Sequence, residues 1–395
     1  MNKAEHQSKI GTIGRMTLLL GSNMVMMAGS SLSPGVPAIQ ETFQGTPGLT
    51  FWTSLVLTLP ALFVVLGGPL MGYLVDRFGR KPVLIGSIIS GGIFGSAAYF
   101  LQSLSGILIT RALIGLSIAG SMTATNSLVA DFFKGEERAK YLGQVFAFTG
   151  VSGVVFMTIG GFLANIDWHY SFLTYIPALL IAPLAIIFIH EPKEVVAHEA
   201  DALTVKFKLD PTSIYIFIAI MFNQLAYVAV PVFIATYLKD LVGAGSVEAG
   251  LVSALANLCS FLGGLAYGRI HKRYGFLRIN TVSFLIYSLG FLAIAMAQNW
   301  TLILIGEMVL GFGMGVIPSN LSTWLAHETH PLVRGRANGI YVTMMFLGNF
   351  ATSIIFTPIS QATSLQFIYC LSAIVVVMMS VVGVVHFRSV GKVNS

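Results

Sequence analysis

Apolar runs long enough to cross a bilayer recur along almost the whole chain, separated by short charged or polar connectors. They lie at about 14–37, 50–74, 82–102, 105–131, 140–164, 171–190, 212–238, 248–270, 277–297, 300–325, 337–358 and 366–388. A span across the hydrocarbon core needs about 20 apolar residues. Lipid offers the backbone no hydrogen-bond partner, so each run must close its own bonds as a helix, and the alternating pattern of a membrane barrel is absent. Composition agrees: 55% of the 395 residues are hydrophobic and only 10% are charged, where water-soluble domains carry about 25% charged residues. The sequence predicts an all-α membrane protein of twelve transmembrane helices.

One connector is longer than the rest. EPKEVVAHEADALTVKFKLDP, residues 191–211, is mixed in sign and too short and polar to bury a core. It divides the chain into an N-terminal six-helix bundle (1–190), a cytoplasmic linker (191–211) and a C-terminal six-helix bundle (212–395). With the N-terminus in the cytoplasm, the inside segments hold 20 of the 22 Lys and Arg residues; one outside loop holds Lys239, and Arg111 lies within a span. This asymmetry predicts cytoplasmic N- and C-termini. It also accounts for the net charge of +6 as topology signals spread over seven segments, which argues against a nucleic-acid partner. The first run is too long for a signal peptide and reads as an uncleaved helix. Cys259 and Cys370 lie inside apolar runs and read as small apolar residues, with no disulfide expected.

The two halves repeat. GGPLMGYLVDRFG at 67–79 and GGLAYGRIHKRYG at 263–275 share LGGxxxGxxxxR[FY]G, with Gly72 on Gly268, Arg77 on Arg273 and Gly79 on Gly275. The same offset of 196 residues places RALIGLSIAG (111–120) on EMVLGFGMGV (307–316). Gly68 and Gly72, four apart, predict a bare helix face that another helix approaches closely. Asp76 is expected to pair with Arg77 or Arg80, or to face a helix N-terminus. The plainer reading of the cluster is orientation charges plus a tight turn at Gly79. In the second copy Lys272 stands where Asp76 stands in the first.

Along its full length the chain resembles the major facilitator superfamily, whose two halves are parallel repeats of this kind. GYLVDRFGRKP is similar to the family's signature between spans 2 and 3. RALIGLSIAG is similar to the span 4 signature of its drug:proton antiporter branch, with Arg111 and Gly115 in place. The span 5 signature of antiporters ends glycine–proline–x–x–glycine–glycine; here FMTIGG puts Phe156 and Met157 in the first two places and keeps Gly160 and Gly161. WHYSF at 168–172 is similar to the aromatic cluster that precedes span 6 in these proteins. The resemblance implies that Gly72, Asp76, Arg77, Gly79 and Arg80 latch the cytoplasmic ends of the two halves. It also implies that spans 1, 4, 7 and 10 line a central cavity, and that the protein works as a monomer.

Only Arg111 and Glu307 put a charge well inside a span, and they occupy equivalent places in the two repeats. A charge at that depth costs about 2.5–3.5 kcal/mol on insertion scales, so it needs a partner or a water-filled cavity. The preferred reading makes Glu307 the proton-coupling carboxylate and Arg111 its charge partner or modulator. The alternatives are a fixed structural ion pair, an Arg satisfied by backbone carbonyls, or direct substrate contact. Many antiporters of the branch carry an acid in span 1, and this chain offers there only Ser22, Asn23, Ser30, Ser31 and Ser33. Neutral candidates for substrate contact are Asn23, Asn126, Asn223, Gln224, Tyr227 and Asn320. Each amide reads equally as glue between helices worth about 0.6 kcal/mol.

All eight histidines fall in tails, loops or span ends, and HETHP at 327–331 lacks metalloprotease spacing. No GxxxxGK[ST] is present. No cofactor, metal or enzymatic activity is expected. The function expected is export of a small lipophilic or amphipathic compound in exchange for protons, by alternating access across a cell membrane. The alternatives are a proton-coupled importer or metabolite carrier of the same fold, and a transporter-like membrane sensor.

Overall fold

The computed structural model describes residues 10–24, 27, 31–192, 210–330 and 333–389. Among these the chain is helical and contains no strand. It divides into two compact units, Met1–Ala197 and His198–Ser395. Of the expected linker at 191–211, residues 193–209 lie outside the described residues.

The first unit comprises α1 (Thr12–Ser22), a 3-10 turn (Ser33–Gly35), α2 (Val36–Thr42), α3 (Leu49–Phe78), α4 (Arg80–Ala97), α5 (Leu104–Phe132), α6 (Gly135–Ile166), a 3-10 segment (Trp168–Tyr175) and α7 (Ile176–Phe188). The second comprises α8 (Pro211–Val242), α9 (Ser246–Ile270), α10 (Phe276–Ala295), α11 (Trp300–Glu328), α12 (Arg334–Ala362) and α13 (Leu365–Ser389). Eleven helices among the described residues are long and apolar enough to cross a membrane. The first expected span, 14–37, is the exception. Its start is α1, residues 25–26 and 28–30 lie outside the described residues, and a 3-10 turn containing Pro34 and Gly35 leads into α2, which runs on to Thr42. Proline removes a backbone donor, and such turns commonly join helical pieces.

Helix starts carry the caps their sequences offer. The Ser103 side chain accepts from the Gly106 N–H at 3.3 Å, Asp210 from Ser213 at 3.1 Å and Asn299 from Leu302 at 3.0 Å. Each satisfies a donor that the helix cannot satisfy itself.

The repeat is legible in the packing. A side chain added at Gly115 of α5 would run into the Pro60 carbonyl of α3, and one added at Gly311 of α11 would run into the Ala256 carbonyl of α9. Both pairs are related by the 196-residue offset of the sequence. The face of α3 that meets α5 is Pro60, Phe63, Gly67 and Met71, which touch Gly115, Leu116, Ala119 and Gly120. This corrects the expectation for Gly68 and Gly72. A Cβ at either would meet nothing within 4 Å, because one residue is a turn of about 100° away from the packed face. The second repeat behaves alike: Gly263 lies against the Phe312 carbonyl and Gly268 is open. Large apolar side chains such as Ile109, Leu180, Leu289 and Val385 stand exposed on the helices, as the lipid-facing surface of a membrane protein requires.

Candidate functional site

Arg111 sits on α5 and is fully buried. Its Nε donates to the Val56 carbonyl of α3 at 2.7 Å, and its Nη1 donates to the Tyr175 hydroxyl at 2.6 Å. The guanidinium carbon also lies 5.9 Å from the centre of the Tyr175 ring. The Val56 carbonyl is available for a physical reason. Pro60 stands four residues later in α3 and has no N–H to return to it. The missing rung that proline leaves in the hydrogen-bond ladder of α3 is therefore filled by an arginine from a neighbouring helix. These two partners belong to the first unit, so Arg111 is held by a backbone carbonyl and a phenol.

Glu307, at the equivalent place in α11, is 1% exposed. Its Oε1 is enclosed and has no hydrogen-bond partner, and no ion pair reaches it among the described residues. Two large buried tyrosines of the same unit come from other helices, Tyr287 of α10 and Tyr369 of α13. The Tyr287 and Tyr369 hydroxyls are likewise buried without a partner. A buried carboxyl with neither counter-ion nor donor is costly as an anion.

The candidate amides divide into three kinds. Asn223 and Tyr227 share one face of α8, and Asn223 Nδ2 reaches Met314 Sδ of α11 at 3.7 Å while its Oδ1 stays unpartnered. Gln224 is buried with Oε1 unpartnered. Asn223 thus lies on the seam between α8 and α11, the helix that carries Glu307. Asn23 donates to the Leu19 carbonyl of α1 at 2.7 Å, and Asn320 donates to the Phe276 carbonyl at the start of α10 at 3.0 Å; both tie backbone, the second across helices. Asn126 is exposed on α5.

At the charged end of the first unit the partners differ from those expected. Asp76 is exposed and pairs with neither Arg77 nor Arg80. Arg80 Nε lies 3.1 Å from Asp131 Oδ2 of α5, within ion-pair distance though not aligned as a hydrogen bond. Arg77 Nη1 donates to the Tyr73 hydroxyl at 2.9 Å. The N-terminus of α4 is faced by Glu191, whose two carboxylate oxygens accept from the Arg80 and Lys81 N–H groups at 2.7 Å each. Lys81 Nζ in turn donates to the Ile186 carbonyl in the last turn of α7 at 2.7 Å. Asp76 lies in the last turn of α3 and is exposed, whereas Glu191, just past the end of α7, reaches the start of α4. Gly79 joins the two helices at φ +95°, and a Cβ there would lie 2.7 Å from Glu191 Oε1. Gly275, its counterpart in the repeat, has an ordinary φ of −69°. Gly72 is open, as described above.

Five residues that matter here escaped the sequence reading: Tyr175, Asp131 and Glu191 in the first unit, Tyr287 and Tyr369 in the second. The available signal was modest. A hydroxyl within an apolar run needs a partner, and a carboxylate at the end of a run must face something.

A family model described as the Major Facilitator Superfamily matches residues 18–211 and again 212–393. Proteins named multidrug resistance protein MdtG from Salmonella dublin and Salmonella typhi are each 25% identical over 393 residues, covering 95% of this chain and 93% of their own. Among solved structures, the nucleoside transporter NupG matches with a TM-score of 0.77 at 14% identity, over 95% of this chain and 100% of that one. The xylose transporter XylE from E. coli matches with a TM-score of 0.76 at 16% identity, over 93% and 94%. Identities this low speak for the fold alone. With the family pattern matched once in each unit, the chain is a multi-pass membrane transporter that belongs to the major facilitator superfamily.

Proposed function

We propose that the protein exports a small lipophilic or amphipathic compound in exchange for protons, with Glu307 as the group that takes and releases the proton. The observation that carries this reading is the buried Glu307 carboxyl, enclosed in α11 with an unpartnered Oε1. Protonated, it is a neutral group in a low-dielectric site; ionised, it lacks a counter-ion among the described residues. Exchange between these forms is what couples a proton gradient to a transport cycle. Arg111 stands at the repeat-equivalent place, and its bonds to Val56 and Tyr175 give it the role of holding α3, α5 and the Trp168–Tyr175 segment in register. Through that framework it modulates the cycle as a positioning residue.

Tyr227, Asn223 and Gln224 are the proposed substrate contacts: Asn223 reaches the helix of Glu307, Tyr227 shares its face of α8, and Asn223 and Gln224 carry unpartnered acceptors. Asn23, Asn126 and Asn320 are kept as secondary candidates. Gly72, Asp76, Arg77, Gly79 and Arg80 are proposed as the conformational latch. Exposed Asp76 is its free carboxylate, and Gly79 and Arg80 are its base, anchored on Glu191 and Asp131. The Lys and Arg distribution supports cytoplasmic termini. The Salmonella relatives are named multidrug resistance proteins, which supports the export reading. Phe156 and Met157, where antiporters of the branch carry glycine and proline, favour uptake as the second reading.

Inside-out vesicles separate the two directions. An interior made acidic should drive accumulation of an exported dye or drug, and collapse of the gradient should stop it. Accumulation driven only by the opposite gradient would establish uptake instead.

A further inference from the structure

The turn between α9 and α10 is the repeat counterpart of the charged turn between α3 and α4, but it lacks that turn's carboxylates. The 196-residue offset puts Lys272 at the place of Asp76, His327 at that of Asp131 and Phe387 at that of Glu191. The cations remain. Arg269, Lys272, Arg273 and Arg278 fall within ten residues, and all four are exposed. No Asp or Glu lies between Glu248 and Glu307. Among the described residues none of the four joins an ion pair, and Glu328 at the end of α11 is paired with His327 alone, at 3.8 Å. In the first unit, by contrast, Arg80 lies against Asp131, and Glu191 takes the Arg80 and Lys81 N–H groups.

An apolar stripe leads away from this cluster. Arg278, Val282, Leu285, Leu289 and Leu292 recur at intervals of four and three residues along α10, so they line one face of the helix, and all five are exposed. The Arg278 guanidinium carbon lies 5.0 Å from the centre of the Tyr274 ring, which is itself exposed in the turn. An aromatic face holds a cation at this distance. Basic clusters just outside a membrane helix attract anionic lipid. An arginine fork also matches phosphate oxygens in geometry as well as charge. Cations at the helix end and an apolar stripe beyond them fit the two parts of one phospholipid, its phosphate and its acyl chains.

We infer that Arg278, with Lys272, Arg273 and Tyr274, forms a docking site for the phosphate of an anionic phospholipid whose acyl chains lie along Val282, Leu285 and Leu289. The lipid phosphate supplies the negative charge that the first unit draws from its own chain. Arg278 is the main contact, and Tyr274 holds its guanidinium at the end of the stripe. Lys272 and Arg273 add charge from the preceding turn. The inference needs only the membrane-spanning fold and stands apart from the reading of Glu307.

The test is native mass spectrometry of the full chain in micelles supplied with equal amounts of phosphatidylglycerol and phosphatidylcholine of the same acyl chains. The wild type should retain phosphatidylglycerol in preference, and the preference should weaken as ionic strength rises. Arg273→Gln with Arg278→Gln should weaken phosphatidylglycerol retention by about fivefold for each cation removed and leave phosphatidylcholine unchanged. Should that double variant fail to fold, Arg278→Gln alone reads the same outcome. Lys134→Gln with Arg138→Gln takes two charges from the turn between α5 and α6, which carries its own Glu136 and Glu137, and should leave the preference intact. Equal retention of the two lipids by the wild type overturns the inference. Equal losses in the two double variants also overturn it, because the effect would then follow net charge and not this site. Displacement of the bound lipid by excess inorganic phosphate would show a site for a free anion, and would overturn the lipid assignment.

Discussion

Arg111 donates to the carbonyl of Val56, the acceptor that Pro60 leaves open in α3. The pairing accounts for a buried charge and a missing backbone hydrogen bond together. Arg111→Ala strands the Val56 carbonyl and the Tyr175 hydroxyl, at about 1–3 kcal/mol for each group left dry, and should lower the thermal stability of the purified protein. Adding Pro60→Ala returns an N–H to the Val56 carbonyl. The double variant should therefore be more stable than Arg111→Ala alone. A double variant no more stable than the single would show that the freed carbonyl is not what Arg111 serves.

Gly79→Ala should destabilise the first unit. The backbone at φ +95° is strained for any residue with a Cβ, and that atom would press on the Glu191 carboxylate. A strained position of this kind costs about 1–3 kcal/mol. The equivalent change Gly275→Ala, at φ −69°, should cost far less. Equal losses in the two variants, measured by thermal unfolding, would contradict the asymmetry between the repeats.

Glu191→Ala removes both acceptors from the start of α4. Loss of an N-terminal cap costs about 1 kcal/mol, and Glu191→Gln, which keeps one acceptor, should lose less. Amide exchange at Arg80 and Lys81 should quicken in Glu191→Ala. Unchanged protection there would mean that another group caps the helix.

Asp167, between α6 and the Trp168–Tyr175 segment, supplies the acid-limb prediction. Its partial burial raises its pKa, but the His169 N–H at 2.8 Å and ring Nδ1 at 2.6 Å from its Oδ1 lower it further, leaving it below the ordinary carboxylate value. A carboxylate held down in the fold adds stability above its unfolded value of about 3.9. That stability is lost as pH falls through the lower folded value. The side chain is half exposed, so the effect is small. Asp167→Asn should flatten the fall of melting temperature with pH below about 4. An identical acid limb in wild type and variant would exclude the His169 contact as its source.

Much of the fold was legible because lipid imposes a narrow rule: runs of about 20 apolar residues close their own hydrogen bonds as helices. The 196-residue offset carried over into space, with Gly115 and Gly311 meeting equivalent carbonyls. Within the first expected span, 14–37, residues 25–26 and 28–30 lie outside the described residues, and the 3-10 turn at Ser33–Gly35 was not foreseen because hydropathy conceals Pro34 and Gly35. Partners were the least legible part. Arg111 and Tyr175 are 64 residues apart, and the acceptor on Val56 exists only because of Pro60, a backbone effect that no charge pattern encodes. Asp76 was paired with its sequence neighbours, but helix ends direct side chains by geometry, and Asp131 and Glu191 hold the places expected of it. Glu307 was visible as a lone acid in a span, whereas buried Tyr287 and Tyr369 look in the sequence like ordinary apolar filling.

The central claim is that the Glu307 carboxyl carries the proton, and gradient-driven flux in inside-out vesicles tests it most directly. Glu307→Gln keeps the shape of the side chain and removes its titration. With wild-type melting temperature confirmed, the variant should lose accumulation driven by an acidic interior while still exchanging substrate for substrate when no gradient is imposed. Accumulation at the wild-type rate under the same gradient would contradict the account.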